Sequence, residues 1–144
     1  MSIYQLADNL YIAPQLTPAD ITQAQQLGIQ SVICNRPDHE EAEQPLFSDI
    51  QTQLNTAGIT HSHHQPVLAP AITAQDVQQF QQLFANSPKP VLAYCRTGTR
   101  STLLWAYHQA QTGAPLEQIV AAAQQAGIDL SNFLPRLQEA AQQL

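Results

Sequence analysis

The chain has 144 residues, a length at which folding buries roughly two-thirds of the unfolded surface, so one hydrophobic core holds it without disulfide or metal staples. Five Lys and Arg stand against eleven Asp and Glu, a net charge of -6 with only 11% charged residues; this excludes a nucleic-acid or anionic-membrane surface, because both need clustered cations to displace counterions. The longest apolar runs, such as Ile119 to Ala123, are far short of a membrane span, and Met1-Ser2-Ile3-Tyr4 has neither a basic start nor an apolar signal core, so a cytoplasmic protein is expected.

In chain order, Leu10 to Ile12 reads as a first strand. Thr17-Pro18-Ala19-Asp20 supplies an N-cap, a Pro at the first helical position and an acidic first turn for a helix to about Leu27, closed by Gly28. Ser31 to Cys34 is a buried-type strand ending at the turn signal Asn35-Arg36-Pro37-Asp38. A helix from about Leu46 to Ala57 closes at Gly58, and Ile59 to His63 is the third strand. The Pro-rich connection Gln65 to Ala71 leads to Thr73-Ala74-Gln75-Asp76, a capping box opening a helix to about Ser87. Pro90 to Tyr94 is a fourth strand, and Ser101–Gln111, Pro115–Ala126 and Ser131–Leu144 are helical in period with no further strand. Strands alternating with helices predict a three-layer α/β/α fold, with a mostly parallel sheet of four to five strands and a helical C-terminal half, in one domain over residues 1–144.

Cys34 and Cys95 are too few for a disulfide framework and are not spaced as a metal knuckle, so both are expected as free thiols. The cations are Arg36, Lys89, Arg96, Arg100 and Arg136; three of the five lie within a few residues of the two thiols. In Val91-Leu92-Ala93-Tyr94-Cys95-Arg96-Thr97-Gly98-Thr99-Arg100-Ser101 the second cysteine ends a buried strand and a Gly-containing loop follows before a helix. The amides of Arg96, Thr97, Gly98 and Thr99 and the helix N-terminus then converge on an anion site, and the same partial positive charge favours a thiolate at Cys95. Gly98 permits a positive φ and close approach to a ligand. Arg100 offers a planar fork for two oxyanion oxygens, and Ser101 offers a hydroxyl to the sulfur.

Cys95-Arg96-Thr97-Gly98-Thr99-Arg100-Ser101 with the preceding strand resembles the cysteine-phosphatase superfamily. Asn35-Arg36-Pro37-Asp38 and the whole chain length are similar to its bacterial branch, the beta-lactamase-hydrolase-like phosphatase-like domain (DUF442) family. The resemblance implies a (phosphotyrosine protein phosphatase)-like fold, with Cys95 as nucleophile and Arg100 on the transferred group. Two departures stand out. The phosphatase loop holds five residues between Cys and Arg, whereas four intervene here, an interval similar to that of rhodaneses, sulfurtransferases that carry a persulfide on Cys. The phosphatase general acid is an Asp after the third strand, and Gln65 to Ala71 contains none.

Asp38 is the best substitute acid, since the carboxyl ends of parallel strands share one edge; the other reading is a turn Asp capping the backbone. Arg36 is either an anion ligand or a partner for Glu40, Glu41 and Glu43. Cys34 is a buried core thiol or a resolving thiol for Cys95. His61, His63 and His64 lack the acidic residue and further His of a metallo-hydrolase motif, so no metal and no cofactor is expected.

Three functions follow. A phosphatase-like hydrolase attacks a phosphate monoester through a covalent Cys95 thiophosphate, with Arg100 and the loop amides on the phosphate. A sulfurtransferase carries a Cys95 persulfide from thiosulfate or glutathione persulfide to a thiol acceptor. A non-catalytic anion-binding module keeps the pocket without turnover. Each has a small anionic substrate or ligand as its partner.

Overall fold

The computed structural model describes residues 2–68 and 71–142. Five strands, β1 (Tyr4–Ala7), β2 (Leu10–Ala13), β3 (Ser31–Cys34), β4 (His61–His64) and β5 (Val91–Tyr94), lie in the order β1-β2-β5-β3-β4. Only β1 is antiparallel to its neighbour; β2, β5, β3 and β4 run parallel. The helices are α1 (Pro18–Gln26), α2 (Phe47–Thr56), α3 (Ala74–Asn86), α4 (Thr99–Gln111), α5 (Leu116–Gln125) and α6 (Leu134–Ala141).

Alternation along the strands divides the core. Val32, Leu92 and Tyr94 pack with Ile21 and Ala24 of α1 and Ile50 and Leu54 of α2, while Ile33, Val91 and Ala93 face Phe80 of α3, Leu103 and Leu104 of α4, Ile119 of α5 and Leu137 of α6. The result is the expected three layers. Both predicted caps form: the Thr17 and Thr73 hydroxyls accept from the Asp20 and Asp76 amides, and each carboxylate accepts from its cap residue's N–H in return.

The structure adds to the sequence reading at three places. Tyr4–Ala7 is a strand that forms by pairing with β2 through a turn at Asp8-Asn9, where Asn9 takes φ 63; the segment is short and its turn lacks the Asn-Gly signal that marks such hairpins. Ile59 closes α2 by donating to the Leu54 carbonyl, so β4 starts at His61 rather than Ile59. The last predicted helix is split into a 3-10 turn, Ser131–Phe133, and α6, which has Pro135 in its first turn; its predicted end at Leu144 lies outside the described residues, as do positions 69 and 70 of the Pro-rich connection. Among the described residues no helix is long and apolar enough to cross a membrane.

The strand order creates a switch point between β5 and β3. The chain leaves β3 toward α2 on one face and leaves β5 toward α4 on the other, so the two exits diverge at the carboxyl edge, where such sheets open a crevice. Cys95 and Asn35 stand there, one residue past each strand.

Candidate active site

Cys95 is fully buried at the end of β5. Gly98, in the left-handed region at φ 92, is the N-cap of α4, and its N–H donates to Cys95 Sγ at 3.1 Å. A side chain here would combine that strained φ with a Cβ 3.3 Å from Ile128 Cδ1 and 3.6 Å from the Ala13 carbonyl oxygen. The Thr102 hydroxyl donates to the Gly98 carbonyl at 2.8 Å and fixes the turn from below.

Asn35 ties the strand exits together, a role that the sequence reading, which met it in a turn and in the Asn35-Arg36-Pro37-Asp38 resemblance, did not assign. Wholly buried, it donates its N–H to the Tyr94 carbonyl at 2.8 Å and its side-chain amide to the Gln65 carbonyl at 3.1 Å, and its Oδ1 accepts from the Ser101 hydroxyl at 2.8 Å. Ser101 therefore donates to Asn35, not to the sulfur as its position after Arg100 suggested: a hydroxyl has one proton, and the buried amide oxygen takes it.

Arg100 is the best-organised cation. Its Nη1 and Nη2 donate to the two Glu40 carboxylate oxygens at 2.8 and 2.9 Å, and Nη1 donates also to the Val67 carbonyl at 3.0 Å. The guanidinium also interacts with the Cys95 sulfur, both electrostatically and through a side-chain hydrogen bond. Burial pulls the Arg100 pKa down, but the Glu40 carboxylate and then the Cys95 sulfur outweigh it, so the group is held more firmly charged than an ordinary arginine. His39, at φ 67 in the left-handed region, directs the chain into Glu40.

Arg36 is buried beneath this cluster. It donates to Glu40 at 3.0 Å, to Glu41 at 2.8 Å and to the Gln15 side-chain oxygen at 2.9 Å, so of its two sequence readings the geometry observed is that of a carboxylate partner; Glu43 takes no part in these bonds. Arg96 is 63% exposed and pairs with Glu41 at 2.9 Å. The network joins three guanidinium groups to two carboxylates, a net single positive charge beside Cys95. A cleft of about 450 Å³ opens on it, lined by Glu40, Glu41, Leu68, Arg96, Thr97, Thr99 and Arg100.

Asp38 does not line that cleft. Its Oδ1 accepts from the Phe47 N–H at 2.9 Å, which caps the start of α2; a carboxylate so engaged has the backbone role, and the acidic side chain beside Arg100 is Glu40. Sequence reading met Glu40 only as a neighbour of Arg36, because the contact with Arg100 spans sixty residues. The Arg100 hydrogen bonds, and next the Arg36 one, hold the Glu40 carboxyl below its ordinary value of 4.5 against the opposing effect of burial. The stability it contributes is then complete above 4.5 and is lost as pH falls through the lower, folded value. Urea midpoints of wild type and Glu40→Gln should differ most near neutral pH and converge as pH drops below the carboxylate range; a constant difference down to the acid limit would contradict the ion pair.

Cys34 lies beside Tyr94, its register partner on β5, in the core under α1 and α2. The strand ends are adjacent, as a resolving thiol requires, yet burial pushes the Cys34 thiol up to about 11 despite its hydrogen bonds with Tyr94 and the Arg36 carbonyl. At pH 8 about one molecule in a thousand carries the thiolate. Iodoacetamide at pH 8 should leave Cys34 unmodified in the native protein and alkylate it once guanidinium unfolds the chain, read by peptide mass; rapid native labelling would restore the resolving role.

His61 and His63 are exposed on edge strand β4, whereas His64 bonds the Arg36 carbonyl at 2.8 Å and stacks on Phe47. No group of three or more His, Cys, Asp or Glu side chains among the described residues is arranged to hold a metal ion.

A cysteine loop running from a central parallel strand into a helix, at the switch point of a three-layer sheet, places the chain in the cysteine-phosphatase fold class. It matches the kinase-associated phosphatase bearing serine for its catalytic-site cysteine with a TM-score of 0.65 over 98% of this chain and 94% of that one; at 16% identity this likeness speaks for the fold alone. Residues 2–114 match the family described as beta-lactamase hydrolase-like protein, phosphatase-like domain, and the chain belongs to that family. It is similar to the crystal structure of a candidate phosphatase from Neisseria meningitidis Z2491, at 52% identity and a TM-score of 0.95 over 97% of this chain and 99% of that one. It is 34% identical over 113 residues to the beta-lactamase hydrolase-like protein of Agrobacterium fabrum, a match of 78% of this chain that spans only 26% of that longer relative.

Proposed function

We propose that the protein is a cysteine-dependent phosphatase-like hydrolase of phosphate monoesters. The observation that carries the reading is the convergence of the Gly98 N–H and the Glu40-held Arg100 guanidinium on Cys95 Sγ, next to a cleft that Arg96, Thr97, Thr99 and Arg100 line. Cys95 attacks phosphorus, the ester P–O bond breaks, and Arg100 with the loop amides takes the equatorial oxygens. Water then cleaves the S–P bond, releasing inorganic phosphate and restoring the sulfur. Arg96, Thr97, Gly98, Thr99 and Ser101 serve this reading as the loop that shapes the anion site, with Arg36 and Glu40 positioning Arg100. Glu40 is held ionised and Asp38 caps a helix. Neither supplies a proton to the leaving group, which must leave as an anion or take its proton from solvent, so esters of acidic alcohols such as phenols are favoured.

The four-residue interval from Cys95 to Arg100 favours a second reading, sulfur transfer. Cys95 attacks the outer sulfur of thiosulfate, sulfite leaves, and the Cys95 persulfide passes its terminal sulfur to an acceptor thiol. One pair of assays tests both. Turnover of an aryl phosphate that disappears in Cys95→Ser supports hydrolysis. A mass gain of one sulfur after thiosulfate or glutathione persulfide, absent in Cys95→Ser, without phosphate turnover, overturns it in favour of transfer. Oxyanion binding with neither reaction leaves an anion-binding module.

A further inference from the structure

Among the described residues the buried hydroxyls are hydrogen-bonded with one exception. Ser31 and Ser87 donate to the Pro88 and Leu83 carbonyls, Ser101 to Asn35 and Thr102 to the Gly98 carbonyl, and Tyr94 bonds Cys34. Tyr107 is only 5% exposed, yet its hydroxyl hydrogen-bonds no described residue. A phenol so placed costs free energy unless something in the space beside it accepts its proton. That space is a cavity of about 180 Å³ where the start of α3 meets α4 and α6. Its volume is roughly that of six waters, too small for a drug-sized molecule but enough for a ligand of about six heavy atoms. It shares no lining residue with the cleft at the Cys95 loop.

Buried Ile72, Val77 and Ala140 make the apolar part of the wall. Polar groups converge on the rest. The Arg136 guanidinium lies over the Tyr107 ring, 5.8 Å from its centre, and Thr73 and Ala74 bring the N-terminus of α3 to the cavity. The capping box engages the Thr73 and Asp76 amides and leaves the Ala74 and Gln75 N–H groups without an intrahelical partner. Burial raises the Tyr107 phenol above its ordinary 10.0 against the opposing Arg136 charge, so at neutral pH the hydroxyl keeps its proton and donates. A phenol donor, a guanidinium and a helix N-terminus together suit an oxyanion. The Glu139 carboxylate on the same wall offsets part of that positive character, which suits one negative charge rather than two.

We propose that this cavity is a second ligand site, which binds a small aliphatic monocarboxylate. The carboxylate oxygens take the Tyr107 hydroxyl, the Arg136 guanidinium and the first-turn amides of α3, and the alkyl body lies on Ile72, Val77 and Ala140. Cys95 has no part in this binding, so the site stands or falls independently of the proposed hydrolysis.

The test is an NMR titration of the full chain with butyrate and, in a separate arm, with inorganic phosphate. Butyrate should shift the Ala74 and Gln75 amides and the Tyr107 ring saturably, with a Kd in the millimolar range expected of so few atoms. Tyr107→Phe keeps the ring under Arg136 and removes one oxygen; it should weaken butyrate about fivefold or more, and Arg136→Gln about tenfold. Phosphate should leave the Ala74 and Gln75 amides in place. No saturable shift at those amides up to about 100 mM butyrate, shifts confined to the Cys95 loop, or an affinity unchanged in Tyr107→Phe would overturn the site. Phosphate binding at the start of α3 as tightly as butyrate would overturn the assignment to a monocarboxylate.

Discussion

Replacing Cys95 by Ser should abolish hydrolysis of an aryl phosphate, with kcat falling about a thousandfold or more, while binding of phosphate stays within a fewfold of wild type. The sulfur stands at the carboxyl edge of the sheet with the Gly98 N–H 3.1 Å away, and it is wholly shielded from solvent. Oxygen in its place is smaller but still offers the Gly98 N–H an acceptor, so the loop and Arg100 retain their positions. What is lost is nucleophilicity, since a serine hydroxyl has no adjacent base: Ser101 donates to Asn35, and the nearest carboxylates are engaged with arginines or with the start of α2. The control is thermal unfolding, which should change by no more than a few degrees. Retained turnover in Cys95→Ser would remove covalent catalysis from the protein altogether.

Arg100→Lys should cost about a hundred- to a thousandfold in kcat/KM for the same ester. This substitution keeps the charge, and so the Glu40 carboxylate is not left unpaired in a half-buried cleft. An ammonium nevertheless has one centre. The guanidinium holds both Glu40 oxygens and the Val67 carbonyl through Nη1 and Nη2 and reaches the Cys95 sulfur as well; lysine cannot bind the carboxylate in a fork and phosphoryl oxygens at once. A loss of less than about tenfold would mean that the loop amides alone hold the anion, and that the Glu40–Arg100 pair is a structural clasp.

These two experiments also separate what each level of description contributes. The cysteine loop was legible in the chain because its parts are contiguous: a strand of Val91 to Tyr94, a cysteine, a glycine needing positive φ and an arginine in the first helical turn follow from local conformation. The parallel sheet and its layers were legible for a similar reason, since helix caps at Thr17 and Thr73 and the alternation of elements are short-range signals. The antiparallel β1 was missed, since a four-residue segment with an Asp-Asn turn acquires its conformation from pairing with β2.

The roles around the loop were decided elsewhere. Sequence offered Asp38, Arg36 and Ser101 as participants by proximity to a motif or to a strand end. Tertiary packing gave Asp38 to the start of α2, Arg36 to Glu40 and Glu41, and the Ser101 proton to Asn35. It also brought Glu40 onto Arg100 across sixty residues and set Tyr4 and Ile128, from opposite ends of the chain, along one groove beside Gly98.

The scarcity of positive charge, five cations in 144 residues, argues against a basic binding surface, and the clustering of three of them near the thiols points to the candidate site. Which of those charges is available to a ligand was not in the sequence. Hydrogen-bonding capacity is allocated among neighbours in space, and only the folded chain determines that buried Arg36 bonds two carboxylates and Gln15 while Arg100, on the cleft, bonds Glu40 and Val67 and also reaches the Cys95 sulfur.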